Sequence, residues 1–245
     1  MRTLIIQSHS SDVHDTWMGQ CLVGVERWAE SSRFDYRFYG DEALLRTPDW
    51  YREKVGNRGP IVADLARLLL INEALDQGYQ QAGWVDADVL LFAPRLLQLD
   101  FEQSCAFGRE YWVEADRRGR LKVRRNVHNA ICVFRAGCPV LQFLIHATQR
   151  IIRQVNPAHV APQLVGPKLL SALHNIVGFD LIDSVGGFSP LVIDSLEQGH
   201  GQALGALLRE TPVPLAGANL CSSLNAERDL AGLCVRLCEA GGLPG

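Results

Sequence analysis

Apolar residues in the N-terminal part of the chain switch between strand-like and helix-like spacing. Thr3 to Ser8 (Thr-Leu-Ile-Ile-Gln-Ser) is a short, continuous β-branched and apolar run, which predicts a first strand buried in a central sheet. Trp17, Cys21, Leu22, Val25, Trp28 and Ala29 then recur at the helical period and predict an amphipathic helix. Phe34 to Tyr39 alternates aromatic and polar residues and stops at Gly40-Asp41, as a second strand does. Ile61 to Leu75 predicts a further helix, with Pro60 ahead of it, Asp64 in its first turn and Gly78 after it. Trp84 to Phe92 predicts one central strand with a polar end, closed by Pro94.

Further along, Ala106 to Gly108, Leu121 to Arg124 and Ala130 to Phe134 predict short strands, with Glu114 to Arg120 as an exposed turn. Pro139 to Val155 and Pro167 to Asn175 predict helices, Asp180 to Ser184 and Leu191 to Ile193 late strands, and the chain from about Gly199 loops around one or two short helices. Strand, helix, strand order makes this an α/β chain. No repeat or linker divides it, so a single domain is expected over residues 1–245, with a C-terminal tail at 199–245.

Composition narrows the function classes. The 245 residues are 47% hydrophobic and 21% charged, ordinary for a globular domain that buries its core without a structural metal. A net charge of -3 gives no footprint for a nucleic-acid partner. No stretch approaches the roughly 18 apolar residues of a membrane span, and the start of the chain turns polar too soon for a signal peptide. Seven scattered cysteines, an odd number, fit reduced cytoplasmic usage. Cys234 and Cys238 share a helix face and are expected to be core residues, because no second Cys or His pair accompanies them.

The chemistry concentrates at two places. Asp86 and Asp88 flank Ala87, and on a strand residues i and i+2 point to one face, so both carboxylates would aim at one point. Two carboxylates so placed repel unless a cation sits between them, and a hard divalent ion, Mn2+ or Mg2+, that also takes phosphate oxygens suits them. Upstream, Asp64 and Arg67 lie three apart on a strongly apolar helix, where a charged pair lines a cleft more readily than open solvent.

Ala63-Asp64-Leu-Ala-Arg67, followed some twenty residues later by Trp84-Val-Asp86-Ala-Asp88-Val, resembles the Asp-x-x-Arg helix and Asp-x-Asp strand of GT-A-type glycosyltransferases, particularly glycosyltransferase family 32 and the capsular-polysaccharide type. Asn129-Ala-Ile-Cys-Val-Phe and Val165-Gly-Pro-Lys-Leu-Leu resemble that group's Asn-Ala strand and Gly-Pro helix start. The resemblance covers about residues 1 to 185 and weakens in the tail. It implies a mixed, mostly parallel central sheet flanked by helices, with a nucleotide-binding part over 1–100 that ends in the Asp-x-Asp strand and a sugar and acceptor part over 101–198. It also implies a donor site of Gln7, Asp64, Arg67, Trp84, Asp86, Asn129 and Gly166. Within that site Asp64 would contact the nucleoside, Arg67 the donor sugar or diphosphate, Asp86 the ribose and metal, and Asp88 the metal directly, making Arg67, Asp86 and Asp88 the catalytic set. Two departures stand out: Gln77-Gly78-Tyr79 replaces the usual Gly-Gly, and Trp84 replaces a common Tyr.

His128 and His174 are expected to be structural, the latter at a helix C-terminus. The resemblance also implies a further metal ligand from near the C-terminus, for which Asn219, Ser222 or Ser223 is the candidate, although the same residues cap a helix. The expected activity is transfer of a sugar from a nucleotide-diphosphate donor, with UDP as the expected nucleotide. The acceptor would be a hydroxyl of a glycan, a lipid-linked molecule or a small molecule. Configuration would be retained, since no carboxylate stands out as a general base. The alternatives are a non-catalytic sugar-nucleotide-binding or scaffold protein, and a nucleotidyltransferase or diphosphatase. Gln7 to Asp12 lacks the Gly-rich loop that a nucleotidyltransferase usually carries.

Overall fold

A six-stranded mixed sheet forms the centre of the computed structural model, which describes residues 1–10, 16–56, 58–156 and 163–244. Strands β1 (Thr3–Ser8), β2 (Asp35–Tyr39) and β3 (Gln81–Val85) run parallel. β6 (Leu121–Arg135) runs against β3, and β5 (Cys105–Ala115) and β7 (Asp180–Ile182) restore the first direction, in the order β2-β1-β3-β6-β5-β7. A second sheet of β4 (Val89–Leu91), β9 (Gly217–Asn219) and β8 (Val185–Gly187) covers part of one face.

β1 is buried on both faces, as its unbroken apolar run requires. Leu4 and Ile6 join Trp84, Phe107 and Phe134 under helices α3 (Gly59–Asp76), α4 (Pro139–Gln154) and α5 (Pro167–Val177). Ile5 faces the other way, into a cluster with Val25 and Trp28 of α1 (Trp17–Ser31) and with Val89, Leu91 and Val185 of the small sheet. The connection from α3 into β3 passes through Gly78 at φ +94, a backbone conformation that a side chain resists.

Three elements differ from the sequence expectation. The strand predicted over Trp84 to Phe92 is broken at Asp86-Ala87-Asp88: the Val89 amide donates to the Asp86 carbonyl at 3.1 Å, and the two halves belong to different sheets. Asp disfavours strands and favours turns, and here that preference prevails over the flanking apolar residues. Leu191 to Ile193, expected as a strand, lies in α6 (Pro190–Glu197), whose N-cap Ser189 accepts a hydrogen bond from the Val192 amide. The short strands expected at 106–108, 121–124 and 130–134 lie within the two long strands β5 and β6, joined as a hairpin.

The helix α2 (Asp49–Val55) was not legible. In the tail, α7 (Gln202–Glu210) and α8 (Ala231–Ala240) are the anticipated short helices, and β9 is an unanticipated strand. Cys234 is buried against α1 in the core, whereas Cys238 on the next turn is exposed. No helix among the described residues is long and apolar enough to cross a membrane.

Candidate active site

Asp64, Arg67, Trp84, Asp86 and Asn129 meet at the C-terminal end of β3. α3 is apolar around almost its whole circumference, which pulls Asp64 and Arg67, each only 6% exposed, into the interior. The Arg67 guanidinium lies 3.5 Å from Asp64 Oδ1 and 3.3 Å from Asp86 Oδ1, and its Nη1 donates to the Asn129 carbonyl at 2.6 Å. Its Nε donates to the Ala63 carbonyl at 3.3 Å, and its charge sits 5.4 Å from the centre of the Trp84 ring. With its donors engaged inside the protein, Arg67 holds the site together rather than reaching out as a free cation.

Asp86 Oδ1 also accepts the Trp84 indole N–H at 2.6 Å, and the Asp86 amide donates to the Ala130 carbonyl at 2.7 Å. Trp84 can do this because it sits two residues before Asp86 on the same strand edge; a Tyr there would offer a hydroxyl in place of an indole N–H. Gln7, expected to touch the donor, is fully buried: its Nε2 donates to the Asp86 carbonyl at 3.3 Å and its Oε1 accepts from the Tyr36 hydroxyl at 3.0 Å. It braces the acidic turn from behind.

Asn129 Nδ2 donates to Asp64 Oδ1 at 2.7 Å. Gly166 at the start of α5 closes on the other carboxylate oxygen: a Cβ there would lie 2.7 Å from Asp64 Oδ2, so only glycine allows the approach. Burial raises the Asp64 pKa to about 6, with the Asp86 charge adding to the rise, while Arg67 and Asn129 oppose it. A carboxyl that holds its proton better folded than unfolded favours the native state below its folded pKa. That advantage is lost as pH rises through about 6. Asp64→Asn mimics the protonated form. Relative to the parent it should therefore gain about 1–2 kcal/mol of stability between pH 5 and pH 8, read from urea midpoints at both pH values. A gap independent of pH would mean that Asp64 is not held in this environment.

Asp88 lies on the other side of the turn, against the tail. Its Oδ1 accepts from Asn219 Nδ2 at 2.7 Å and its Oδ2 from the Ser222 amide at 2.9 Å. Burial, and then the Asp86 charge, raise its pKa, with the Ser222 hydrogen bonds pulling the other way. The tail segment expected near the metal is therefore in contact with Asp88, but it presents N–H groups. Asn219 turns its Oδ1 to the Cys221 amide at 2.6 Å, so it faces Asp88 as a donor and not as an oxygen ligand. Cys221 adopts φ +51, and this left-handed turn aims the Ser222 amide at Asp88. Its thiol is pushed up by burial and by the charges of Asp88, Glu110 and Asp86, which puts Glu110 of β5 beside the site as well. Glu110 was not picked out in the sequence, where it is one acid in a strand with no motif around it.

His128 is structural: its Nδ1 accepts the Ala130 amide at 3.2 Å, and Nε2 lies 3.0 Å from the Val185 carbonyl. His174 packs edge-on to Phe179 with ring centroids 5.0 Å apart. Ser11 and Asp12 of the loop after β1 lie outside the described residues.

Among the described residues no three His, Cys, Asp or Glu side chains converge as a ready-made metal cage. The donor set nevertheless fits a divalent cation that brings other ligands. One guanidinium faces two carboxylates, Asp64 and Asp86, and Asp88, half-buried on the other side of the turn, has only neutral N–H partners beside the Asp86 charge. Hard oxygen donors of this kind suit Mn2+ or Mg2+ with phosphate oxygens completing the shell.

No family model and no curated protein matches the sequence. Among solved structures the chain is similar to the galactosyltransferase LgtC in complex with donor and acceptor sugar analogues, at 13% identity over 98% of this chain and 95% of that one, with a TM-score of 0.51. A glycosyltransferase involved in glycosylation of the major capsid of PBCV-1 matches at 11% identity over 94% of this chain and 98% of its own, with a TM-score of 0.45. A197 from STIV matches at 10% identity over 71% and 78%, with a TM-score of 0.31. The likeness to LgtC, together with the order and direction of the strands, establishes a GT-A-type fold: a mixed, mostly parallel sheet flanked by helices.

Proposed function

We propose that this protein is a metal-dependent glycosyltransferase that moves a sugar from a UDP-sugar donor to an acceptor hydroxyl with retention of configuration. The observation that carries the reading is the half-buried acidic turn, Asp86 and Asp88, at the C-terminal end of β3 in this fold. LgtC, which shares the fold, binds donor and acceptor sugar analogues, and that supports a donor and an acceptor here.

In this reading Asp86 and Asp88 hold Mn2+ or Mg2+, and the ion, when bound, stabilises the charge left on the departing diphosphate as a Lewis acid. Arg67 and Trp84 fix the Asp86 carboxylate through Oδ1. Asn219 and Ser222 fix Asp88, so the two carboxylates that would hold the ion need no reorganisation when donor arrives. Asp64, locked by Asn129 and Gly166, holds Arg67 in place beside Asp86.

The test is incubation with a panel of sugar nucleotides and Mn2+, following release of free nucleotide with and without candidate acceptor sugars. Release of UDP from one donor, dependent on Mn2+, is the expected result. Tight donor binding without any release would leave a sugar-nucleotide binder, and release of nucleoside monophosphate would mark a diphosphatase.

A further inference from the structure

The β5–β6 hairpin carries a feature that donor chemistry does not use. β6 pairs with β3 only from Ile131 onward, so residues 121–130 and their partners in β5 project beyond the end of β3 where Asp86 sits. At about 3.4 Å per residue the projection is about 30 Å long. Tyr111 and Val113 are buried on its inner face, with Val123 packed against the same cluster. The register sets Trp112 opposite Arg124 and Glu114 opposite Lys122, so these four alternate onto the outer face. Toward the site the same face continues to Glu110, which accepts from Asn126 at 2.9 Å and lies against Gly187, where a Cβ would come within 2.9 Å of its Oε1.

The charge of this projection opposes that of the whole chain. Residues 114–125 hold six basic and two acidic side chains in a protein of net charge -3. Arg120 pairs with Asp116, Arg124 with Glu114 and Arg125 with Glu210. Among the described residues no ion pair engages Arg117, Arg118 or Lys122, and all three are exposed around an open hollow of about 430 Å3 at the hairpin tip. None of the exposed large aliphatic side chains falls between Trp112 and Asn126.

We infer that the outer face of this hairpin is an acceptor track, and that the acceptor it fits is an anionic glycan, a saccharide chain carrying carboxylate or phosphate groups. The inference rests on the glycosyltransferase reading and names the acceptor class for it. Cations at the tip attract the acidic groups, the partly exposed Trp112 ring offers a flat apolar face to a sugar ring, and the strand direction leads the chain end toward Asp86 and Asp88. A bilayer would meet mainly charge here, with no exposed large aliphatic side chain to insert.

Calorimetric titration of the full chain with a homogalacturonan oligosaccharide, a neutral maltooligosaccharide of equal length and phosphatidylserine-containing vesicles tests the inference. The parent should bind the acidic oligosaccharide and not the neutral one. Arg117→Glu/Arg118→Glu/Lys122→Glu and, separately, Trp112→Ala should each weaken that binding at least about tenfold while melting temperature and acceptor-independent donor hydrolysis stay unchanged. Equal binding by the triple variant, equal binding of the neutral chain, or binding of vesicles alone would overturn the inference. Because oligosaccharide binding is read without turnover, its failure is distinct from a failure of the transferase reading, which shows as absent nucleotide release.

Discussion

Asp88→Asn should abolish sugar transfer and donor hydrolysis, by about a thousandfold or more, in a protein that still folds. In the proposed reading the lost interaction is the charge that would hold a Lewis acid worth several kcal/mol of barrier, and about 1.36 kcal/mol is a factor of ten in rate. Two opposing effects keep the stability change small. Burial disfavours the Asp88 charge, so its removal is favourable, while an amide turns an N–H toward either Asn219 Nδ2 or the Ser222 amide and loses one hydrogen bond. The melting temperature should move by only a few degrees, as differential scanning calorimetry would show. A variant that unfolds would make Asp88 a purely structural link between the acidic turn and the tail. Retained turnover would remove the metal from the account.

Arg67→Ala should damage both stability and activity. An exposed i,i+3 ion pair is worth about 0.2–0.5 kcal/mol, and its loss would scarcely be seen. The Arg67 and Asp64 side chains are instead each 7% exposed, and truncating the cation leaves Asp64 and Asp86 without their shared partner and the Asn129 carbonyl without its donor. Breaking a buried pair in this way costs about 3–5 kcal/mol, a fall of roughly 10 °C in melting temperature for a chain of this size. Activity should fall by about a hundredfold or more, because Asp86 loses one of the two donors that fix it. Arg67→Lys should recover part of both, since an ammonium supplies charge without the planar fork that spans Asp64, Asp86 and the carbonyl. Arg67→Ala/Asp64→Asn should recover stability without activity, which separates the two effects. An unchanged melting temperature in Arg67→Ala would contradict the buried arrangement.

The parts of the fold that were legible in the sequence are those whose burial is uniform along an element. β1 and α1 show unmixed strand and helical periods, and their extents differ little from expectation. α3 was legible as a helix, and its nearly all-round apolar character was also the clue that Asp64 and Arg67 are inside rather than on a face. The break at Asp86 was hidden because Val85 and Val89 are equally apolar although they pair in different sheets. At Leu191-Val-Ile the β-branched content outweighed the Ser189-Pro190 helix start, which was the better signal. The reach of the β5–β6 hairpin was hidden, because Tyr111-Trp112-Val113 is a run of three bulky residues with no polar position between them to mark a strand's alternation. The contacts of Asn219 and Ser222 with Asp88 join residues more than a hundred positions apart, and no local pattern specifies such a pairing; only the resemblance pointed to that segment.

The central claim is that Asp86 and Asp88 bind a nucleoside diphosphate through a divalent cation. It is tested most directly by thermal unfolding with UDP in the presence of Mn2+ and, separately, in chelator. At ligand a hundredfold above its dissociation constant the bound state gains about 2.7 kcal/mol, a shift of roughly 5–10 °C for a chain of this length. The account predicts that shift with Mn2+ and none in chelator, where the two carboxylates repel the diphosphate. An equal shift in chelator would contradict it.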